Sequence, residues 1–129
     1  MSERTPIQTD AAPAALGPYS QAIRGGGLVF TAGQVGLDPQ TGELAVGVVA
    51  QAEQALANLA AILGAAGSTL DRTLKTTIFL AYMGDVAAVN EAYARHFSEP
   101  YPARSTVAVK QLPRNALVEI ECVALDHAS

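Results

Sequence analysis

The amino-acid sequence predicts an α+β fold in which one mixed sheet carries two helices on one of its faces. Five short segments rich in apolar and β-branched residues are typical of strands, and two longer segments repeat apolar residues near the helical period. Their order along the chain is β-β-α-β-α-β-β. Because each helix has one apolar face, both helices are expected on the same side of the sheet. The length of 129 residues suits a single domain, 1–129, with one core.

The first two predicted strands form a hairpin. Tyr19 to Ile23 and Leu28 to Thr31 are the strand segments, and Gly25 to Gly27 between them can adopt the positive φ of a tight turn. The preceding residues 1–16 are expected to be loosely ordered or to lie at an edge, because their two prolines limit regular structure. The segment that follows, Gly33 to Glu43, is predicted to be a loop with a turn at its centre.

The predicted helices flank the third strand. Val48 to Ala66 has an apolar stripe and is followed by Gly67, a typical residue after a helix C-terminus. Leu74 to Ala81 is β-branched and aromatic, which indicates a strand. Asp85 is expected to cap the second helix. The apolar face of that helix consists of Val86, Val89, Tyr93 and Phe97.

The last two predicted strands, Ala103 to Val109 and Leu117 to Leu125, are joined around Leu112 to Asn115. Side chains alternate between the two faces of a strand. We expect the more apolar sets to face the helices; they are Val118, Ile120, Cys122 and Ala124 on the last strand, and Ser105, Val107 and Val109 on the preceding one. The opposite face would then carry polar side chains beside apolar neighbours, namely Arg104, Thr106, Glu119 and Glu121.

This polar face has two interpretations that spacing cannot separate. Arg104 and Glu119 can form an ordinary cross-strand ion pair, worth at most about 1 kcal/mol. Alternatively, the apolar neighbours are covered by another subunit and the polar residues line a pocket at that interface. The low charged fraction of 16%, against roughly 25% in an average domain, is consistent with a covered surface.

Composition disfavours several functions. The net charge is −4 and the eight Lys and Arg are scattered, whereas nucleic-acid binding requires a basic patch. The single cysteine permits no internal disulfide, and neither a signal peptide nor an apolar membrane span is apparent, so a cytoplasmic location is expected. His96 is expected to be solvated near a helix end, and His127 belongs to the tail. Neither histidine has partners at metal-ligand spacing, so no metal site is predicted.

Three blocks of residues together resemble the RidA/YjgF family. The N-terminal block comprises Gly17–Ala22, Thr31–Gln34 and Pro39–Glu43. A central block comprises Lys75–Phe79 and Val89–Tyr93. The C-terminal block comprises Pro102–Val107, Leu112–Pro113 and Val118–Glu121. Several motifs in the right order, spread from about Ala12 to Leu125, are far more specific than any one of them.

This resemblance implies a fold and an activity. The fold would be chorismate-mutase-like, and three subunits would pack their sheets around an axis, with clefts between neighbouring subunits. The activity would be hydrolysis of reactive enamines or imines, such as 2-aminoacrylate and 2-iminopropanoate, to 2-keto acids and ammonia. Such an enzyme would use no cofactor of its own.

The resemblance also assigns roles to residues of this chain. Arg104 would hold the substrate carboxylate with its planar guanidinium fork. Glu119 would activate the attacking water and return its proton to the leaving nitrogen. Tyr19 would line the cleft from a neighbouring subunit, and Asn90 and Gly33 would border the same cleft.

Two positions depart from the family pattern. Many members have serine where this chain has Ala32, and cysteine where it has Thr106. Ala32 removes a hydroxyl from the cleft, and Thr106 keeps a hydrogen-bonding group but cannot react as a thiol. Arg104 and Glu119 are both retained, so these departures bear on substrate range.

Two other functions remain open from the sequence. A trimer that binds small ligands without turnover is compatible with Ala32 and Thr106. Ribonuclease or translation-inhibitor activity is attached to some family members, although the acidic balance of the chain and its scattered cations disfavour it.

Overall fold

A computed structural model of the chain describes residues 3–126, and its centre is one seven-stranded sheet. The strands are β1 (Thr5–Ile7), β2 (Ala22–Gly25), β3 (Leu28–Thr31), β4 (Gln34–Val35), β5 (Thr73–Leu80), β6 (Ala103–Ala108) and β7 (Val118–Leu125). The helices are α1 (Val48–Ala65) and α2 (Val86–Ala94). The strand order is β1-β2-β3-β7-β5-β6, and β4 also pairs with β7. Only β5 and β6 are parallel, so the predicted mixed α+β sheet is confirmed.

The N-terminal strands differ from the prediction in their bounds. The hairpin between β2 and β3 is confirmed, with Gly26 and Gly27 at φ values of 61° and 81°. However, β2 begins at Ala22, three residues later than predicted, because the residues before it turn away from the ladder. The strands β1 and β4 were not predicted. β1 pairs with β2 at the sheet edge, and β4 is only two residues long, too short to give an alternating pattern.

Both helices cover the same face of the sheet. Leu56, Leu59 and Leu63 of α1 are fully buried in one cluster with Ile78 of β5 and Ile120 of β7. Burying one such side chain contributes about 1.5–3 kcal/mol. α2 lies in the crossover between the parallel strands β5 and β6, and it packs beside α1. This arrangement places α2 directly over the strands that carry part of the candidate site.

The second helix begins after Asp85, as predicted, but Asp85 makes no side-chain cap and the helix ends before its predicted apolar face does. Asp85 does not cap α2 with its side chain; instead a 3-10 turn, Met83–Asp85, leads into the helix, and the Asp85 N–H donates to the Tyr82 carbonyl at 3.1 Å. The helix ends at Ala94, before Phe97. Phe97 is nevertheless buried, as predicted, because its ring stacks on that of Tyr93 at a centroid distance of 4.4 Å.

The first helix is more apolar as a whole than its predicted apolar stripe indicated. Val48–Ala65 has 18 residues and a mean hydropathy of 1.2, which by length and composition alone would suit a membrane span. The core helix of a folded domain meets the same criteria. Eight residues of α1 are buried in the folded chain, and they include Gln51 and Asn58, so α1 packs as a core helix.

Candidate active site

Arg104 and Glu119 lie on opposite faces of the sheet, and the prediction that they share a face is wrong. Arg104 pairs in register with Thr76 of β5, which pairs in turn with Cys122 of β7. Thr76 and Cys122 are buried beneath the helices, so Arg104 projects from the helix-covered side. Glu119 pairs with Phe79, which lies three residues beyond Thr76 on β5; because three is an odd number, Glu119 projects from the opposite, open side.

The faces of β6 were assigned the wrong way round. Alternation along a strand identifies two sets of side chains but does not show which set faces the core. On β7 the buried set is Val118, Ile120, Cys122 and Ala124, as predicted. β6, however, is an edge strand and both of its sets are largely exposed. Val107, expected beneath the helices, is 44% exposed on the open face, and Thr106 lies on the helix side with Arg104. An ordinary ion pair between Arg104 and Glu119 within one chain is thereby excluded.

Arg104 stands in a cleft of about 320 Å³ between α2 and β6. Its guanidinium lies over the ring of Tyr93, with Cζ 4.9 Å from the ring centroid. Within residues 3–126, Arg104 makes no hydrogen bond or ion pair, so its N–H donors are available to a ligand. Asn90, predicted to border the site, lines this cleft, and so does Tyr101, which the sequence did not single out.

Thr106 lies two residues beyond Arg104 on the same face of β6. Its Oγ1 atom is buried and has no hydrogen-bond partner in the described part of the chain. A buried hydroxyl without a partner costs free energy unless something else hydrogen-bonds to it. Thr106 therefore places an unused donor and acceptor on the Arg104 side of the edge strand.

Glu119 occupies a second cleft, of about 240 Å³, on the open side of the sheet. Tyr19, Gly33 and Arg114 of the same chain are among the residues that line it. The resemblance placed Gly33 and Asn90 on one cleft, whereas within this chain Asn90 lines the Arg104 cleft and Gly33 the Glu119 cleft. A Cβ atom at position 33 would lie 2.8 Å from Cδ of Glu119 and 2.9 Å from Oε2. A side chain at position 33 would therefore displace the Glu119 carboxylate, and glycine leaves room for it.

The electrostatic environment of Glu119 raises the pKa of its carboxyl group. Burial is the main cause, and the negative charge of Glu121 adds to it. Glu119 makes no hydrogen bond or ion pair with any residue between 3 and 126. A half-buried carboxylate without a compensating partner is typical of an acid/base group kept for chemistry.

Gln21 fixes the wall of the Glu119 cleft, and sequence inspection missed it. The buried side chain accepts a hydrogen bond from the Thr9 N–H at 2.8 Å and donates to the carbonyls of Thr9 at 3.0 Å and Pro13 at 2.8 Å. These bonds hold the segment that runs on to Leu16 and Tyr19, which line the cleft. A polar residue at the start of a strand gives no sequence signal of such a role.

The remaining predicted residues occupy less central positions. The N–H of Ala32 donates to the Gln21 carbonyl at 2.9 Å, and Ala32 is not among the residues that line either cleft. Cys122 is buried, as predicted, and burial raises the pKa of its thiol to about 11, so it is not a nucleophile. His127 lies outside the described residues.

His96 follows the end of α2 and is paired with a carboxylate. Its Nε2 is 2.6 Å from Glu53 on α1, and Arg95 binds the same carboxylate at 2.7 Å. The expected solvated histidine is thus a partly buried one that links the two helices. No group of three His, Cys, Asp or Glu side chains suited to a metal ion occurs between residues 3 and 126.

Comparison with known proteins identifies the family. Residues 9–126 match the sequence model of the endoribonuclease L-PSP family. The 2-iminobutanoate/2-iminopropanoate deaminase of Mus musculus is 49% identical over 123 residues, which cover 95% of this chain and 91% of the mouse protein. Two solved structures are similar: RidA from an Antarctic Psychrobacter (47% identity, TM-score 0.91) and E. coli TdcF with bound serine (40%, 0.89). Each alignment covers 94% of this chain and 98% of the other.

The chain therefore belongs to the endoribonuclease L-PSP family, which includes the YjgF, RidA and RutC proteins. The resemblance expected from the sequence motifs is confirmed, and so is the fold. Homologues in this family carry the names of reactive-intermediate and imine deaminases.

Proposed function

We propose that this protein hydrolyses small imines and enamines bearing a carboxylate, to 2-keto acids and ammonia. One observation carries the proposal: a guanidinium and a carboxylate, Arg104 and Glu119, each stand in an open cleft without a polar partner within the described chain. Arg104 is exposed and Glu119 is half-buried, so neither charge is neutralised within the described chain and both remain available to a ligand.

The proposal requires at least two copies of the chain at each site. Arg104 and Glu119 lie on opposite faces of one sheet, so one small substrate cannot contact both within a single chain. Large apolar side chains on the strands also remain uncovered, among them Phe30 and Leu74 at 47% exposure each and Val107 at 44%. We propose that a neighbouring copy covers this surface and brings its own Glu119 to Arg104, in a homotrimer of the kind that the family resemblance implies.

In such a cleft Arg104 holds the substrate. Its planar fork donates two N–H groups to the two oxygens of the carboxylate next to the imine carbon. This contact fixes the imine carbon relative to the opposite wall of the cleft. The Thr106 hydroxyl, which has no partner in the described chain, supplies a further hydrogen bond on the same side.

Glu119 moves the protons. As a carboxylate it accepts a proton from water while the water oxygen attacks the imine carbon. As a carboxylic acid it then gives that proton to the nitrogen of the tetrahedral adduct. Collapse of the adduct transfers the remaining hydroxyl proton to the nitrogen, breaks the C–N bond and releases the 2-keto acid and ammonia, which then takes a proton from solvent. A carboxyl pKa raised by burial suits both steps, because it brings the group closer to neutral pH.

Two relatives support this substrate class. The mouse protein is named for 2-iminobutanoate and 2-iminopropanoate, both imines with an adjacent carboxylate. The TdcF structure contains serine, an amino acid whose carboxylate resembles that of the proposed substrate. Nothing in the two clefts requires a metal ion or an organic cofactor, and the proposed chemistry runs with the side chains alone.

The test couples an amino-acid oxidase, which generates imines, to the purified protein and follows imine loss by semicarbazide trapping. We expect faster loss with the protein than without it. Arg104→Ala should abolish the acceleration, and Arg104→Lys should recover little because lysine keeps the charge but lacks the fork. Glu119→Gln, which matches glutamate in shape, should also abolish it. Imine loss at the spontaneous rate with folded protein would refute the proposal, and binding of 2-keto acids without turnover would then favour a ligand-binding role.

A further inference from the structure

We propose that Tyr93 is a positioning residue, whose ring holds the guanidinium of Arg104 in the orientation that receives the substrate carboxylate. This inference rests on the proposed function and goes beyond it. Arg104 extends from an edge strand, and among residues 3–126 its guanidinium has one specific contact, the ring of Tyr93 at 4.9 Å from Cζ to the centroid. A long side chain without other partners would otherwise sample many rotamers.

The ring itself is rigidly fixed. Tyr93 is only 6% exposed, and Phe97 stacks against it at a centroid distance of 4.4 Å with an interplanar angle of 29°. The Tyr93 hydroxyl lies 2.8 Å from Oγ1 of Thr76 on β5. Thr76 is also the register partner of Arg104 across the β5–β6 ladder. The ring is therefore tied to the same point of the sheet from which the Arg104 side chain departs.

Stacking on a ring does not consume the hydrogen-bonding capacity of arginine. A guanidinium over an aromatic ring is attracted by the negative face of the ring without a conventional hydrogen bond, so N–H groups directed away from the ring stay available. The edge of the fork remains open to a carboxylate. The aromatic face thus restrains Arg104 before substrate arrives, and less ordering is left for the binding step.

A purely structural role for Tyr93 predicts a different result from a positioning role. As a core residue, Tyr93 would affect stability when replaced but not the affinity for substrate. As a positioning residue, it would affect KM through loss of the aromatic face, and phenylalanine would rescue it. Phe97 provides the matched control, because it packs against the Tyr93 ring and is not among the residues that line the Arg104 cleft.

The experiment measures kcat and KM for 2-iminopropanoate, made from alanine by an amino-acid oxidase, in the full-length protein. Tyr93→Leu should raise KM about fivefold, the strength of one cation–π contact, and change kcat less than twofold. Tyr93→Phe should keep KM within about twofold of the wild type, because the aromatic face remains. Phe97→Leu should lower the melting temperature and raise KM less than Tyr93→Leu does, because the ring face and its hydrogen bond to Thr76 are kept. If Tyr93→Leu does not fold, Tyr93→Met fills a similar volume with a flexible chain and replaces it.

Binding of 2-oxobutanoate by calorimetry separates this inference from the proposed function. If the wild type binds this keto acid but shows no turnover, the proposed function fails, and the Kd ratio between Tyr93→Leu and Tyr93→Phe still tests the role of the ring. A folded Tyr93→Leu protein with wild-type KM and Kd would overturn the inference. An equal rise of KM in Phe97→Leu would overturn it as well.

Discussion

Replacing Gly33 by alanine tests whether the position of the Glu119 carboxylate determines activity. The added Cβ would lie 2.8 Å from Cδ, 2.9 Å from Oε2 and 3.0 Å from Cγ of Glu119. Ordinary carbon contacts are about 3.5–4.0 Å, so the carboxylate has to move by roughly 1 Å. The backbone at position 33 lies outside the positive-φ region, and alanine itself is tolerated there.

The displacement should affect catalysis far more than stability. A misplacement of about 1 Å in a catalytic group lowers the rate about 10²-fold. Glu119 can rotate away into the open cleft, so the free energy of unfolding should change by less than about 1 kcal/mol. We expect kcat for imine hydrolysis to fall about 100-fold while the melting temperature shifts by only a few degrees.

The control is Gly64→Ala, because no atom lies within 4 Å of the corresponding Cβ in α1. Alanine favours the helix there by about 1 kcal/mol, so this variant should be slightly more stable and fully active. Both proteins would be compared by coupled imine assay and thermal melting. A Gly33→Ala protein that keeps kcat within twofold of the wild type would show that the position of the Glu119 carboxylate does not determine activity.

Two further predictions concern Glu119 and the buried polar core. Burial and the charge of Glu121 raise the pKa of Glu119, so kcat/KM should fall as the pH drops through that pKa and the carboxylate is protonated. Glu121→Gln should lower this pKa and move the fall in kcat/KM to lower pH. A pH–rate profile that Glu121→Gln leaves unchanged would exclude the influence of Glu121. The Asn58 side chain donates hydrogen bonds to the carbonyls of Val35 at 3.2 Å and Leu37 at 3.0 Å. Asn58→Ala should therefore lower the free energy of unfolding in urea by about 2–3 kcal/mol, because two buried carbonyls lose their partner. A decrease below about 0.5 kcal/mol would contradict this prediction.

The parts of the fold that follow from sequence are those where one face of an element is clearly apolar. The alternation of β7 identified its buried residues correctly, because that strand is central and its two faces differ in burial. The apolar stripe predicted for α1 was correct for Leu56, Leu59 and Leu63, whereas its fourth member, Val49 in the first turn, is 37% exposed. Tyr93 and Phe97 were likewise correctly placed in the core, although α2 ends before Phe97.

The placement of the site residues could not be read from pattern alone. At an edge strand such as β6, neither face is strongly buried, so hydrophobicity does not decide which way Arg104 points. The parallel register with β5 decides it, and that register depends on the α2 crossover. Gln21 shows a second limit, because its bonds to the Thr9 and Pro13 backbone depend on a chain path without regular structure.

We propose that each active site takes Arg104 from one copy of the chain and Glu119 from another, and mixed oligomers test this arrangement. Arg104→Ala and Glu119→Gln proteins would be unfolded, mixed in equal amounts, refolded together and assayed for imine hydrolysis. Random mixing in a closed assembly leaves about one site in four with both residues intact. The control mixes Arg104→Ala with Arg104→Gln, which lack the same residue. We expect the first mixture to recover about a quarter of wild-type activity and the control mixture none. A first mixture that is refolded and oligomeric but as inactive as its two components would contradict an active site shared between copies.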